Sequence, residues 1–232
     1  YEMNEYWYRV VIEENAYCGR NIESGHAVLT VTRLTTITID PVSPLTYCPG
    51  AEITVGYSTS GTFNPGNVFS VQLSNDGFAS FTSLSTVSSS SGSITATIPS
   101  SGIPAGSSYR VRVVSSNPVI ESNDNGSNIT IHTTTTISSQ STNGQTVCQG
   151  QTLLPISVSA NGDNLSYQWF SNTIEANTGG TSLGTDNGAQ TNTYTPQSGT
   201  AGTTYYYCEV SGTCGMVPSI VSGAFVVNPT VT

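Results

Sequence analysis

Five cysteines, two histidines and fourteen acids carry whatever side-chain chemistry this 232-residue sequence offers. The cysteines are Cys18, Cys48, Cys148, Cys208 and Cys214, and two of them open twin tripeptides, Cys48-Pro-Gly and Cys148-Gln-Gly, each ahead of a β-rich run. Thiols can close a disulfide, hold zinc, or attack as thiolates beside a histidine. Zinc wants Cys or His at short spacing, whereas Cys208 and Cys214 lie six apart with no histidine near. A Ser-His-Asp hydrolase needs a histidine between nucleophile and carboxylate. His26 and His132 fall in last-strand segments of different units with no nucleophile motif beside them, and both read as surface strand residues. No Gly-rich phosphate loop follows a parallel strand. Any two acids could meet as a glycosidase pair, but Glu13, Glu14 and the other acids of the opening segment read as a solvated face. No catalytic residue and no metal ligand is therefore assigned. Calcium is the one cofactor left open: SNDNGS (122–127) and TDNG (185–188) offer loop oxygens, though neither has a full acidic set and both contain ordinary turn formers.

The elements that must position these residues are strands. β-branched residues, Ser and Gly recur too often for an amphipathic helix, while alternating runs are plentiful. TTITID (35–40), EITVGYS (52–58), NVFSVQLS (67–74), SITATIP (93–99), YRVRVVS (109–115) and SNITIH (127–132) are separated by turn signals such as NDG (75–77). A second series repeats the plan with TTTTISS (133–139), LLPISVSA (153–160), LSYQWFS (165–171), TYTP (193–196), TTYYYCEVSG (203–212) and GAFVVNP (223–229). Six or seven short strands at this spacing predict an all-β fold of immunoglobulin-like antiparallel β-sandwiches, stacked end to end. Trp169 falls on the third strand, where such a sandwich keeps its core tryptophan, and Tyr206 stands two residues before Cys208 with tyrosine-corner spacing. Alternation then points Tyr206 and Cys208 inward and Tyr205 and Tyr207 outward, with Trp7 at the matching outward position near the start; cross-strand packing is the expected use of these rings.

The first thirty-four residues align with the end of the last unit, Tyr6 on Tyr206, Tyr8 on Cys208 and Cys18-Gly19 on Cys214-Gly215. The expected division is thus 1–34, the C-terminal part of one sandwich; 35–132, a complete sandwich; and 133–232, another. On this reading the sequence is expected to be a window of a longer tandem array. Neither junction has a linker, so neighbouring units should be stiffly stacked.

Charged residues make up 8% of the sequence, lysine is absent, and the arginines stop at Arg112. A formal net charge of −9 opposes phosphate backbones and anionic lipid, so nucleic acid is not an expected partner. No run approaches the ~20 apolar residues of a membrane helix, so no membrane insertion is expected. No positively charged, apolar leader opens the sequence, and any signal peptide is expected outside it. Cysteines in a low-charge β chain suit an oxidising, extracellular setting.

Connectivity decides which cysteines can meet. The turn before a sandwich's second strand lies at the pole where the unit ends; the loop between its last two strands lies at the pole where it begins. Cys48 is then at the bottom of the middle unit and Cys214 at the top of the last, and these poles meet at the His132-Thr133 joint. Cys148 and Cys214 should be a strand's length apart, roughly 17 to 20 Å, against the ~7 Å a disulfide permits. The expected bridge is Cys48 to Cys214, with Cys18 and Cys148 free or paired outside the fragment and Cys208 a buried unpaired thiol facing Val158 or a neighbour of it. A bridge from Cys148 within its own unit, or several free thiols, remains the alternative.

NVFSVQLSNDGFASF (67–81), IPSSGIPAGSSYRVRVVSSNP (98–118) and DNGSNITI (124–131) resemble the repeats of very large surface proteins of gliding bacteria that use type IX secretion, the gliding-motility adhesin type. TVCQGQ (146–151), SYQWF (166–170) and GTCG (212–215) are similar to the immunoglobulin-like domains that accompany them. The resemblance implies a filament segment on the cell surface with a role in attachment and gliding motility; the linker-free junctions add the expectation of a stiff stalk, and the missing catalytic constellations that of no enzymatic activity. It also implies its partners: neighbouring repeats, surface polysaccharide or other substratum, and outer-membrane secretion or motility machinery reached through other regions. The alternative is a spacer or carbohydrate-binding module of a secreted polysaccharide-degrading enzyme.

Overall fold

The computed structural model describes residues 34–230 and, before them, the backbone of four short strands: β1 (Trp7–Tyr8), β2 (Val11–Ile12), β3 (Ile22–Glu23) and β4 (Ala27–Val28). β1 pairs antiparallel with β4, and β2 with β3, as nested rungs. Cys18, His26 and the other residues of this segment, with the expectations placed on them, lie outside the described residues.

The first sandwich takes β5 (Thr36–Ile39), β6 (Thr46–Tyr47), β7 (Glu52–Ser60), β8 (Phe69–Ser74), β9 (Thr82–Ser83), β10 (Ser85–Ser90), β11 (Ser93–Thr97), β12 (Gly106–Ser116), β13 (Val119–Glu121) and β14 (Ile129–Ile131). One sheet runs β10-β11-β7-β5, the other β6-β14-β12-β8-β9, with β13 also on β12. β7 shows why: Ile53, Val55 and Tyr57 point inward while Glu52 and Thr54 stay exposed. Val71, Leu73, Val111, Val113, Ile129 and Ile131 close the core from the facing sheet. Each such side chain contributes roughly 1.5 to 3 kcal/mol on full burial.

The second sandwich follows with β15 (Thr136–Gln140), β16 (Gln145–Cys148), β17 (Ile156–Asn161), β18 (Ser166–Asn172), β19 (Thr181–Ser182), β20 (Thr193–Tyr194), β21 (Gly202–Gly212), β22 (Gly215–Pro218) and β23 (Phe225–Asn228). Its sheets run β15-β17-β20 and β16-β23-β21-β18-β19, with β22 beside β21. The core gathers Trp169, Tyr194, Tyr206, Cys208, Val210 and Phe225.

The sheets are mixed rather than purely antiparallel. β6 pairs parallel with β14, and β16 with β23, because the chain leaves one sheet after its first strand and crosses to the edge of the other. At the second crossing the backbones are so close that a Cβ on Gly144 would collide with the Ala224 carbonyl oxygen.

A polar device along the strand before each final hairpin fixes the correspondence between the sandwiches. In the first, Ser122 Oγ accepts from the Val113 N–H and Asn125 Oδ1 from the Val111 N–H. In the second, Ser219 and Ser222 hydroxyls accept from the N–H groups of Cys208 and Tyr206. Hence Cys208 occupies the place of Val113, Tyr206 that of Val111, and Trp169, paired with Cys208, that of Val71, paired with Val113.

Candidate functional site at the joint between sandwiches

The joint is built from four turns and termini. Cys48-Pro49-Gly50 forms a type II turn after β6, with the Ala51 N–H on the Cys48 carbonyl (3.1 Å), Gly50 at φ +85° and its N–H on the Ile98 carbonyl (3.0 Å). Proline presets the first corner and glycine supplies the positive φ of the second. From the other sandwich comes a hairpin tip: Gly212 pairs with Gly215, leaving Thr213 and Cys214 as a two-residue loop. Cys48 and Cys214 are joined by a disulfide, Cα atoms 5.5 Å apart, closing 166 residues of sequence separation.

Asp163, in the loop between β17 and β18, ties the remaining parts together. Its Oδ2 accepts from His132 Nδ1 (2.8 Å) and from the Thr133 N–H (3.1 Å). Its carbonyl accepts from the Thr213 N–H (2.8 Å), and Asn164 donates to the Thr213 hydroxyl (3.0 Å). The His132 N–H returns to the Tyr47 carbonyl (2.9 Å), next to Cys48. The contacts make a closed ring: Cys48 to Cys214, Thr213 to Asp163, Asp163 to His132, His132 to Tyr47. The Thr133 N–H and then His132 hold the Asp163 carboxyl below its ordinary pKa.

His132 is therefore not the free surface strand residue its sequence context suggests; its ring is half-covered and bonded across the joint. Asp163 went unnoticed because a lone acid after Asn-Gly reads as turn material. The signal was its loop's position, at the same pole as Cys214.

The other cysteines lie apart. Cys148 sits in the twin turn, with the Gln151 N–H on its carbonyl (3.0 Å), Gly150 at φ +83° and the Gly150 N–H on the Ser198 carbonyl (3.0 Å). Its thiol is exposed and unpaired. Cys208 is fully buried among apolar neighbours, and desolvation pushes its thiol pKa up to about 12. It is not a nucleophile at neutral pH.

Trp169 is 2% exposed, stacks on Tyr194 at 6.1 Å, and donates Nε1–H to the Thr191 carbonyl. Tyr206 is buried, packed edge-on against Phe225. The tyrosine-corner bond itself belongs to Tyr109 of the first sandwich, whose hydroxyl donates to the Pro104 carbonyl at 2.7 Å. The slot equivalent to Tyr109 holds Thr204, two residues short of Tyr206, and so Tyr206 does not reach an upstream carbonyl. Tyr207 points to the outer face, yet it is 2% exposed. The loop after β18 folds over it, with the Gly180 N–H on its hydroxyl and Phe170 stacked on its ring at 5.1 Å.

Three side-chain oxygens of SNDNGS are engaged internally. Ser122 and Asn125 serve β12, and Asp124 Oδ1 accepts from Gly126 N–H and Arg110. In TDNG the chain makes a short 3-10 turn, Asp186–Gly188. Among the described residues no three His, Cys, Asp or Glu side chains gather as a metal site, and no helix is long and apolar enough to cross a membrane.

No protein-family model and no curated protein matches the sequence. Among solved structures, an I-band fragment of titin is similar with a TM-score of 0.44 and 10% identity, over 87% of this chain and 66% of that one. The FN1-FN3 domains of chicken CNTN1 give 0.45 and 11%, over 83% and 66%. The N-terminal four Ig domains of Dscam1 isoform 4.44 give 0.32 and 12%, over 91% and 51%. The chain thus spans just under two thirds of the first two and about half of the third. The fold is all-β, in tandem immunoglobulin-like sandwiches, and the Cys48–Cys214 bridge is of the kind found in extracellular proteins.

Proposed function

We propose that this chain is a segment of a filamentous cell-surface adhesin, in which stacked sandwiches act as a stiff stalk without catalysis of their own. The observation that carries the reading is the closed ring at the joint. Most inter-domain interfaces are small and polar and allow relative motion. Here a covalent bridge and the His132–Asp163 hydrogen bond clamp a connection only four residues long, 132–135 between β14 and β15. A hinge so restrained transmits tension. The resemblance of 67–81, 98–118 and 124–131 to repeats of type IX-secreted surface proteins supports attachment and gliding motility as the setting.

The test measures a distance distribution between spin labels placed in the first and second sandwiches. Oxidised protein should give a narrow distribution that broadens when Cys48–Cys214 is reduced or when Cys48→Ser and Cys214→Ser are combined. A broad distribution in the oxidised protein sinks the stalk. For the adhesin setting, cells lacking the encoding gene should lose surface attachment; unchanged attachment removes that part alone.

A further inference from the structure

We infer that the Cys148 turn is a second docking seat for the cysteine-bearing hairpin tip of another immunoglobulin-like sandwich, closed by a disulfide from Cys148. The inference rests on the tandem-array reading above and specifies its partner. It does not rest on an exposed thiol alone, because the same seat is occupied elsewhere in this molecule. The turn at Cys48 has the same type II geometry, the same glycine at φ +85° against +83°, and the same N–H anchored on a carbonyl across the pole. Both turns also follow an edge strand paired parallel with the sandwich's last strand, β6 on β14 and β16 on β23. In the first copy of this seat the occupant is visible: Thr213-Cys214, a two-residue tip between Gly212 and Gly215, bonded to Cys48.

The two seats differ in their polar side. Ile131 pairs with Tyr47 next to Cys48, and Val227 with Val147 next to Cys148. His132 and Thr133 therefore correspond to Asn228 and Pro229. At the occupied seat, a carboxylate on the incoming unit takes His132 Nδ1–H and the Thr133 N–H. At the second seat proline has no N–H to give, and Asn228 can donate through its amide but cannot carry charge. The partner that fits is a hairpin tip with cysteine at its second position, whose neighbouring loop needs no carboxylate to meet an imidazole and a backbone N–H. Closure joins two thiols: Cys148 and the tip cysteine lose two electrons and two protons, and a disulfide oxidant such as glutathione disulfide takes them up as two thiols.

Spacing suggests a direct experiment. From Val227 to Thr232 the chain has as many residues as from Ile131 to Thr136. A tandem protein is made by appending residues 137–232 after Thr232, so that an added second sandwich follows at the native interval. It is equilibrated in glutathione buffers and mapped without reduction. The expected result is Cys148 of the original chain bonded to Cys214 of the appended copy, with an effective concentration of about a millimolar or more. Cys148 of the appended copy should remain alkylatable. Cys148 found free, or only as a glutathione adduct while Cys48–Cys214 is intact and both Cys208 thiols resist alkylation, overturns the proposal. A second measurement covers an appended unit that does not fold: glutathione disulfide added to the unextended chain must modify Cys148 and leave Cys208 untouched, and failure to modify Cys148 overturns the proposal equally. Broad spin-label distances across the first joint would remove the stalk while leaving this seat standing.

Discussion

The two sandwiches place the same backbone devices in corresponding positions and fill them with different side chains. Val71, Val111 and Val113 in the first stand where Trp169, Tyr206 and Cys208 stand in the second. One core is made of many β-branched side chains, the other of a few large rings around a thiol. The Ser122–Asn125 and Ser219–Ser222 pairs satisfy the same N–H groups in both. The backbone amides must be satisfied wherever they are buried, so the polar devices repeat; the core needs only to be filled, so its composition drifts. What differs next is energetic concentration, because losing one ring empties more of a core than losing one valine.

The sharpest way to break this comparison is Trp169→Ala. It should destabilise the second sandwich by about 3 to 5 kcal/mol. Val71→Ala at the matching position should cost the first sandwich visibly less, since fewer methyl groups are lost. Calorimetry resolving two transitions would show which one moves. Equal shifts for the two substitutions would mean the register correspondence is wrong.

The next test concerns Cys208 as the counterpart of Val113. Cys208→Val keeps volume and polarity close and should change stability by less than about 1.5 kcal/mol. Cys208→Ser places a hydroxyl among apolar side chains, with the Glu209 carbonyl as its nearby acceptor, and should cost about 1 to 3 kcal/mol. Denaturant unfolding monitored on Trp169 fluorescence separates them. A Ser variant as stable as the Val variant would show that the thiol's contact with the Glu209 carbonyl outweighs its apolar packing.

How far these correspondences were legible in the sequence depends on what kind of regularity each leaves. Strands such as β7 leave an alternation, and the twin turns leave Cys-x-Gly, so both were readable. The Cys48–Cys214 encounter was readable because connectivity alone assigns loops to poles. The parallel pairing of β6 and β16 was not, because a two- to four-residue edge strand after a sheet switch carries no period. Nor was the loop over Tyr207, since a covering segment such as 173–180 looks like any surface loop. The tyrosine corner was misassigned for a specific reason. Counting back two from Cys208 finds Tyr206, but the slot is defined by reach to an upstream carbonyl, and the matching position in β21 is Thr204.

That misassignment yields the third test. Tyr109→Phe deletes the hydroxyl that donates to the Pro104 carbonyl and should cost the first sandwich about 1 kcal/mol. Tyr206→Phe removes a hydroxyl whose partner is the Thr204 side chain rather than an upstream carbonyl and should cost less, with the ring packing on Phe225 and Tyr194 kept. A larger loss for Tyr206 than for Tyr109 would return the corner to the second sandwich.

The smallest expected effect distinguishes the two seats rather than the two cores. Asp163 is partly exposed, and its carboxyl pKa is depressed first by the Thr133 N–H and then by His132. A carboxyl whose folded pKa lies below its unfolded value of about 3.9 stabilises the native contact fully above that pH and progressively less as pH falls through the folded value. The first joint should therefore loosen on acidification below about pH 4, where protonation removes the charge that attracts His132. The readout must be local, because Asp76 also titrates low, its carboxyl held to about 2 by Ser80 in the loop after β8 and by Ser74 at the end of β8. Spin-label distances across the joint, taken from pH 7 to pH 3 with the disulfide reduced, report on the contact without that background. Asp163→Asn should be loose throughout and flat with pH. In the tandem protein, reduced in the same way, the seat at Cys148 beside Asn228 and Pro229 has no ionisable donor on its own side, so its distances should not change over the same range. Matching acid profiles at both joints would show that the His132–Asp163 contact does not set the behaviour of the first.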